Sequence, residues 1–232
     1  MNNKQLTLAV LLASQALTVN AQNLDIVVTN LTQGIYYTPI LIAAHSADNY
    51  VFKSGMEASP QLQMMAEGGN ISGLSEILMA DNADLVENPA AGMLAPAMSV
   101  STTLSTTDGN THLSLVSMML PTNDGFVGLN SWKIPEEAGT YTLMLNAYDA
   151  GTEANDEIIN GGGAPGVPGI PVSPAGNGGT GALGVTMEED NTMIHIHRGS
   201  LGDDDLAGGK SDLDNRVHRW LNPVAKVTIT VN

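Results

Sequence analysis

Short runs in which apolar and polar residues take turns recur along the chain, and they limit what it can become. Leu24–Asn30 (LDIVVTN), Ala97–Thr107 (AMSVSTTLSTT), Tyr141–Asp149 (YTLMLNAYD) and Val224–Val231 (VAKVTITV) show the two-residue period of a strand with one buried face. Ile35–His45 is apolar, extended chain around Pro39, and His112–Leu120, Phe126–Leu129 and Thr192–Arg198 add further short strands. Turn residues separate these runs at irregular intervals, with no βαβ rhythm and no fixed repeat. The expected fold is therefore mostly β, an antiparallel β-sandwich, with Val224–Val231 near its centre. Asp108-Gly109-Asn110 predicts a hairpin joining Ala97–Thr107 to His112–Leu120.

Two helical segments interrupt the pattern. Ser59-Pro60 supplies a capping hydroxyl and a proline at the first helical position, Leu62, Met65 and Ala66 share a face, and Gly68-Gly69 ends the helix. Ser72–Ala80 repeats the device with Ser72 as its cap. Both read as short helices inserted in the early loops and packed over the end of the sheet. Asp81–Pro96 is expected to be loop. Asn160–Gly184 is rich in glycine and proline and predicts a mobile loop within one domain over residues 22–232, not a linker.

Met1–Ala21 has the form of a secretory signal peptide: Lys4, then the apolar Leu6–Leu12, then the small-residue site Val19-Asn20-Ala21. No later run approaches the ~20 apolar residues that cross a bilayer. The chain is expected to be secreted or periplasmic, with no transmembrane segment. Its 24 acidic against 8 basic residues give a net charge of −16. That balance argues against nucleic acid, which requires clustered Lys and Arg. It leaves carboxylates available for divalent cations. Cysteine is absent, which excludes thiol catalysis, zinc–thiolate sites and iron–sulfur clusters.

Two acidic corners, each opened by glycine, form the candidate site. Tyr141–Asp149 runs into the turn Asp149-Ala150-Gly151-Thr152-Glu153, and Asn123-Asp124-Gly125 precedes the apolar Phe126–Leu129. Asp149 and Glu153 can point inward from one turn while Asp124 approaches from a neighbouring loop. Calcium (Ca2+) takes six to eight hard oxygens of this kind. The same acids would also serve as solvated turn residues, with Asp149 capping local amides. Asn155, Asp156 and Glu157 are expected to be exposed.

Leu113–Leu129 (LSLVSMMLPTNDGFVGL), Asn146–Asp156 (NAYDAGTEAND), Asn222–Val231 (NPVAKVTITV) and Val28–Ser46 (VTNLTQGIYYTPILIAAHS) stand in an order and spacing that resemble the spondin N-terminal domain, in particular its bacterial members. The resemblance implies a C2-like antiparallel β-sandwich with one calcium ion at its loop end and a non-catalytic role in adhesion or matrix and surface binding. By position it assigns the metal to Asp124, Asp149 and Glu153. The last departs from the aspartate usual in the family and reaches one methylene further. The partner implied is an extracellular or cell-surface protein or polysaccharide.

Other readings use other residues. His195 and His197 lie two apart, on one face of a strand, and with His218 or His112 would bind zinc or copper in a metal-dependent exported enzyme. A plain surface pair is the alternative. Asp203, Asp204, Asp205, Asp212 and Asp214 form an acidic loop that could hold a second cation or simply be solvated. Met64, Met65, Met118 and Met119 read as core filler, and Trp132 and Trp220 as partly buried aromatics. A structural component of a surface assembly is the remaining alternative.

Overall fold

A computed structural model describes residues 21–232 apart from 175, 177 and 187. The expected leader therefore lies outside the described residues, except for Ala21. In chain order the elements are β1 (Asn23–Asn30), β2 (Tyr36–Tyr37), β3 (Leu41–His45), α1 (Pro60–Gly68), α2 (Ser72–Ala80), β4 (Asp84–Glu87), β5 (Ser99–Ser105), β6 (His112–Leu120), β7 (Gly125–Lys133), β8 (Gly139–Asp149), β9 (His195–Ile196) and β10 (Ala225–Val231).

The strands form one antiparallel sheet in the order β4-β3-β6-β7-β8-β10-β1-β5, with β2 added to β6 and β9 to β8. The sheet folds over on itself, so the body is the expected mostly β sandwich, close to a closed barrel. Its two edges meet where Asp84 of β4 accepts the Thr107 N–H just past β5. β10 lies between β8 and β1, a central strand as its alternation indicated.

Burial follows the sequence pattern. β1 and β10 alternate because only their inner faces pack, contributing Leu24, Ile26, Val28, Val227, Ile229 and Val231 to the interior. β3 and β6 are apolar almost throughout because both faces are covered. Their inner residues join the central core, while Leu41, Ala43, Val116 and Met118 pack with Phe126 under the two helices. The helices thus lie on the outer face of β3, β6 and β7 rather than over the end of the sheet. Leu62, Met65 and Ala66 make the contact, each fully buried. Removing a side chain such as Leu62 would cost roughly 2–5 kcal/mol.

The α1 boundaries are those its sequence specifies. The Ser59 hydroxyl accepts the Leu62 N–H at 3.1 Å, Pro60 opens the helix, and Gly69 closes it in the left-handed region at φ +70°. At α2 the capping expectation fails. Ser72 lies inside the helix, and Asn70 Oδ1 accepts both its N–H (3.0 Å) and its hydroxyl (2.7 Å).

Four other expectations are corrected. β5 and β6 do not form a hairpin: β5 pairs with β1, β6 with β3 and β7. Pairing depends on which edges are free elsewhere in the sheet, which a local turn motif cannot specify. Asp81–Pro96 contains β4, whose residues pair with β3. The strand at Thr192–Arg198 contracts to His195–Ile196. Finally, Asn160–Gly184 is tied to the body. Ile170 is fully buried, and Glu67 and Glu153 accept the N–H groups of Gly166 (2.7 Å) and Gly169 (2.9 Å). Carboxylate–amide hydrogen bonds here add to the burial of Ile170.

Candidate metal centre

Three strand ends meet at one corner. β8 finishes at Asp149, which stands opposite Gly125 on β7 and opposite His195 on β9. The alternation of β8 puts Leu145, Ala147 and Asp149 on the buried face, so the period that builds the core also carries the acid inward. The chain then turns at Gly151. Its φ is +70°, and a Cβ there would fall 2.5 Å from the Thr192 carbonyl carbon, so only glycine fits. Asp149 Oδ1 accepts the Gly151 N–H at 2.9 Å. Asp124 braces the same turn from the neighbouring loop: its Oδ2 accepts the N–H groups of Thr152 (2.8 Å) and Glu153 (3.2 Å).

The carboxylates are out of reach of bulk water, with Asp124 0%, Asp149 1% and Glu153 7% exposed. Asp124 Oδ1 and Glu153 Oε1 have no hydrogen-bond partner among the described residues. Such an oxygen costs ~1–3 kcal/mol or more when buried, and native folds seldom leave one unanswered. Burial, reinforced by the adjacent Asp149 charge, pushes the Asp124 carboxyl up to about 8. Burial also pushes Glu153 up to about 7, with Glu67 and Asp156 as further acids near it. Hard, buried, mutually repelling oxygens with unused lone pairs are the donor set a divalent cation satisfies. The residues present fit such an ion in donor chemistry, not in spacing.

The corner is not a closed cage. Asp149 is the strongest charge acting on Asp124, but the Glu153 carboxylate turns toward the glycine-rich loop, where Oε2 accepts the Gly169 N–H. Among the described residues no three His, Asp or Glu side chains already stand at metal-ligand spacing. The structure thus brings Asp124 and Asp149 together and holds Glu153 beside them, facing Glu67 and Asp156.

Residues past the turn are buried rather than exposed: Asn155 7%, Asp156 8%, Glu157 5%. Asn155 Nδ2 donates to Asp149 Oδ2 at 2.7 Å and to Glu189 Oε2 at 3.2 Å. Asp156 Oδ1 accepts from Asn123 Nδ2 at 2.8 Å. Glu157 accepts the N–H groups of Leu201 and Gly202 and the Ser211 hydroxyl, pinning the acidic loop to the sheet. Glu67 and Glu189 were not foreseeable at this corner, since α1 and the glycine-rich insert bring them in from distant sequence. The only local signal was the density of acids and amides after Gly151.

The histidines share a face as expected, with Ile196 turned to solvent. His195 Nδ1 is 2.9 Å from the Met193 carbonyl oxygen, and its Nε2 is 3.8 Å from Asp149 Oδ2. His197 is buried over Gly125, and burial pushes its pKa down to about 4. Its Nδ1 accepts the Gly199 N–H at 3.0 Å, so the neutral ring carries its proton on Nε2 and offers no lone pair there. The expected third ligands do not join them. His112 starts β6, about 25 Å along the strand from Leu120 at the site end. His218 Nδ1 is occupied by the Asp214 N–H at 3.1 Å.

The acidic loop is internally satisfied. Asp203 accepts from Asp205, Lys210 and Ser211 N–H groups, Asp212 from Ile159 and Thr180, and Asp214 is paired with Arg216 at 2.7 Å. Trp220 is buried and Trp132 half-buried, as expected of partial-core aromatics.

A family model described as Spondin_N matches residues 29–157, more than half of the chain. The matched span includes Asp124, Asp149 and Glu153. It stops before the glycine-rich loop, His195 and the Asn222–Val231 segment. No curated protein matches the chain.

Proposed function

Because the chain belongs to the spondin N-terminal domain family, we propose that it is an exported, calcium-stabilised, non-catalytic module that binds an extracellular or cell-surface ligand, protein or polysaccharide. The observation that carries the metal reading is Asp124 Oδ1, a wholly buried carboxylate oxygen with no partner, beside the ionisable Asp149. Asp124 and Asp149 would hold the ion, with Glu153 turning in from the loop to add an oxygen. The cation would supply positive charge and open coordination positions, tying the loop before β7 to the turn after β8.

The chain's own residues prepare that joint. Asp124 fixes the turn through the Thr152 and Glu153 amides, and Asn155 orients Asp149. An ion bound here favours the folded state by mass action and orders loops at the end of the sandwich, where ligands are commonly engaged. The non-catalytic reading is supported by His197 and His218, each of which spends its Nδ1 lone pair on a backbone N–H.

Asp149→Ala tests the reading. Its stability in calcium should match that of the wild-type chain in chelator, and chelator should change it no further. Equal stability of variant and wild type in millimolar calcium would refute the calcium centre.

A further inference from the structure

Two neighbouring strands separate in the middle of the sheet. β7 and β8 pair only from Gly125 opposite Asp149 to Gly128 opposite Asn146. Beyond that fork β7 stays on β6, with Leu129 opposite Leu115 and Trp132 opposite Leu113, while Gly139–Leu145 of β8 stays on β10. The Trp132 and Tyr141 rings, centroids 6.0 Å apart, bridge the gap over the core. At the backbone, no strand among the described residues pairs with the other side of Gly139–Leu145. Leu145 and Ala147 turn away from that side, since their carbonyls accept the N–H groups of Val224 (2.9 Å) and His197 (3.0 Å). Alternation therefore aims the N–H and C=O of Thr140, Thr142 and Met144 into the gap. The stretch carries no charge and no proline, the usual protections of an open edge, and its outward side chains include Met144, 58% exposed.

We propose that this edge takes an extended segment of a partner polypeptide as an added strand, with an acidic residue of that segment seated at the fork. The inference rests on the ligand-binding part of the reading above and not on the cation. A β-strand matches the repeat of backbone groups at Thr140, Thr142 and Met144, and a sugar chain does not, so the edge selects polypeptide. The track ends where β7 rejoins β8, in a cleft of about 300 Å3 whose lining includes Phe52, Lys53, Asn130, Met144, Asn146 and Tyr148. Lys53 is the only charged residue of that lining, in a chain with 24 acids. Its Nζ lies 4.3 Å from the centre of the Tyr50 ring, and no carboxylate among the described residues pairs with it. The opposite end of the track is the loop that carries the exposed Glu136 and Glu137. Charge thus orients the added strand, with its acidic end at the fork and away from the loop.

The test is amide NMR of the whole chain with two capped hexapeptides, Glu-Val-Thr-Val-Thr-Val and Val-Thr-Val-Thr-Val-Glu, which place the acid at the fork in the antiparallel and the parallel direction. Without peptide, the Thr140, Thr142 and Met144 amides should exchange with solvent faster than those of Tyr141 and Leu143, which face β10. One of the two peptides, at millimolar concentration, should shift and protect the first three. Its glutamine analogue should bind roughly two- to fivefold more weakly to wild type and no more weakly to Lys53→Gln. Thr142→Pro should abolish binding with circular dichroism unchanged, because that N–H serves no ladder bond in the free chain. Lys53 is exposed, so Lys53→Gln keeps the fold even where proline does not. Protection of the three amides without peptide, no shift at them with either peptide, or equal binding by a folded Thr142→Pro chain overturns the added strand. Glutamate and glutamine peptides that bind wild type alike overturn the role of Lys53. No cation enters the measurement, so failure here leaves the calcium centre to Asp149→Ala, and loss of that centre leaves this edge standing.

Discussion

Asp124→Asn separates the electrostatic burden of the corner from the proposed metal. In the unfolded chain this carboxyl ionises near 3.8, and in the fold, chiefly through burial, only near about 8. Between those values the unfolded chain has released a proton that the folded chain keeps. Cation-free stability therefore falls as pH rises through the window and is unaffected below it. At ~1.4 kcal/mol per unit, the loss is on the order of 4 kcal/mol at pH 7 and 5–6 at pH 8, an upper figure because water and side chains relax around the charge. Asparagine does not titrate. Its Oδ1 can accept the Thr152 and Glu153 amides that Asp124 Oδ2 now accepts, and its Nδ2 can take the position of the orphaned oxygen beside Asp149.

In chelator, urea unfolding should show the variant gaining on wild type as pH rises, from no trend near pH 4 to at least ~2 kcal/mol by pH 8. The raised Glu153 carboxyl is present in both proteins and cancels. In calcium at a hundred times its dissociation constant the gap should narrow, since only wild type gains the ~2.7 kcal/mol that such a ligand supplies. A stability difference in chelator that is the same at every pH would refute the reasoning, because Asp124 would then carry no buried-charge penalty for an ion to relieve.

Other perturbations address single contacts. Gly151→Ala forces a Cβ into a left-handed turn and to 2.5 Å from Thr192, and should cost ~2 kcal/mol or more by urea midpoint; an unshifted midpoint would show that the turn can open without loss. Ser59→Ala removes the α1 cap and should cost ~1 kcal/mol, with Ser59→Asp restoring most of it. Glu67→Ala strands the Gly166 N–H, and protease cleavage within residues 160–184 should accelerate several-fold while circular dichroism stays unchanged. Unaltered cleavage would mean that the loop is anchored elsewhere.

Much of the sheet was legible because its strands report their own burial. Alternation in Val224–Val231 reflects one inner face, and the apolar run of His112–Leu120 reflects two. Partner choice was not legible: the Asp108-Gly109 turn suggests a hairpin, yet β5 has polar residues at most positions and lies at an edge, where β1 is its ladder partner among the described residues. At the site, Asp124 and Asp149 could be paired in advance because each stands at a strand end within two residues of a glycine. The orientation of Glu153 could not, since it is set by an amide sixteen residues later. Composition misled about the glycine-rich loop. Low apolar content leaves Ile170 as an apolar anchor, but it says nothing about backbone N–H groups such as those of Gly166, Gly169 and Thr180, which Glu67, Glu153 and Asp212 accept.

The centre therefore draws on two parts of the chain with different constraints. Residues 29–157 contain the three acids but do not complete the sheet, because β10 lies between β8 and β1 and comes from residues 225–231. The turn between Asp149 and Glu153 packs on Thr192, and the segment beyond residue 157 supplies Gly169, Glu189 and His195 around it. Desolvation is the leading cause of the raised Asp124 and Glu153 values, so the cover over these acids, as much as the acids themselves, sets how costly their ionised forms are. Opening the loop with Glu67→Ala should then lower the pH at which calcium binding releases protons, even though the altered residue is not assigned as a ligand. A calorimetric proton count that stays fixed across the two chains at pH 7 would place the source of the shift in the turn alone.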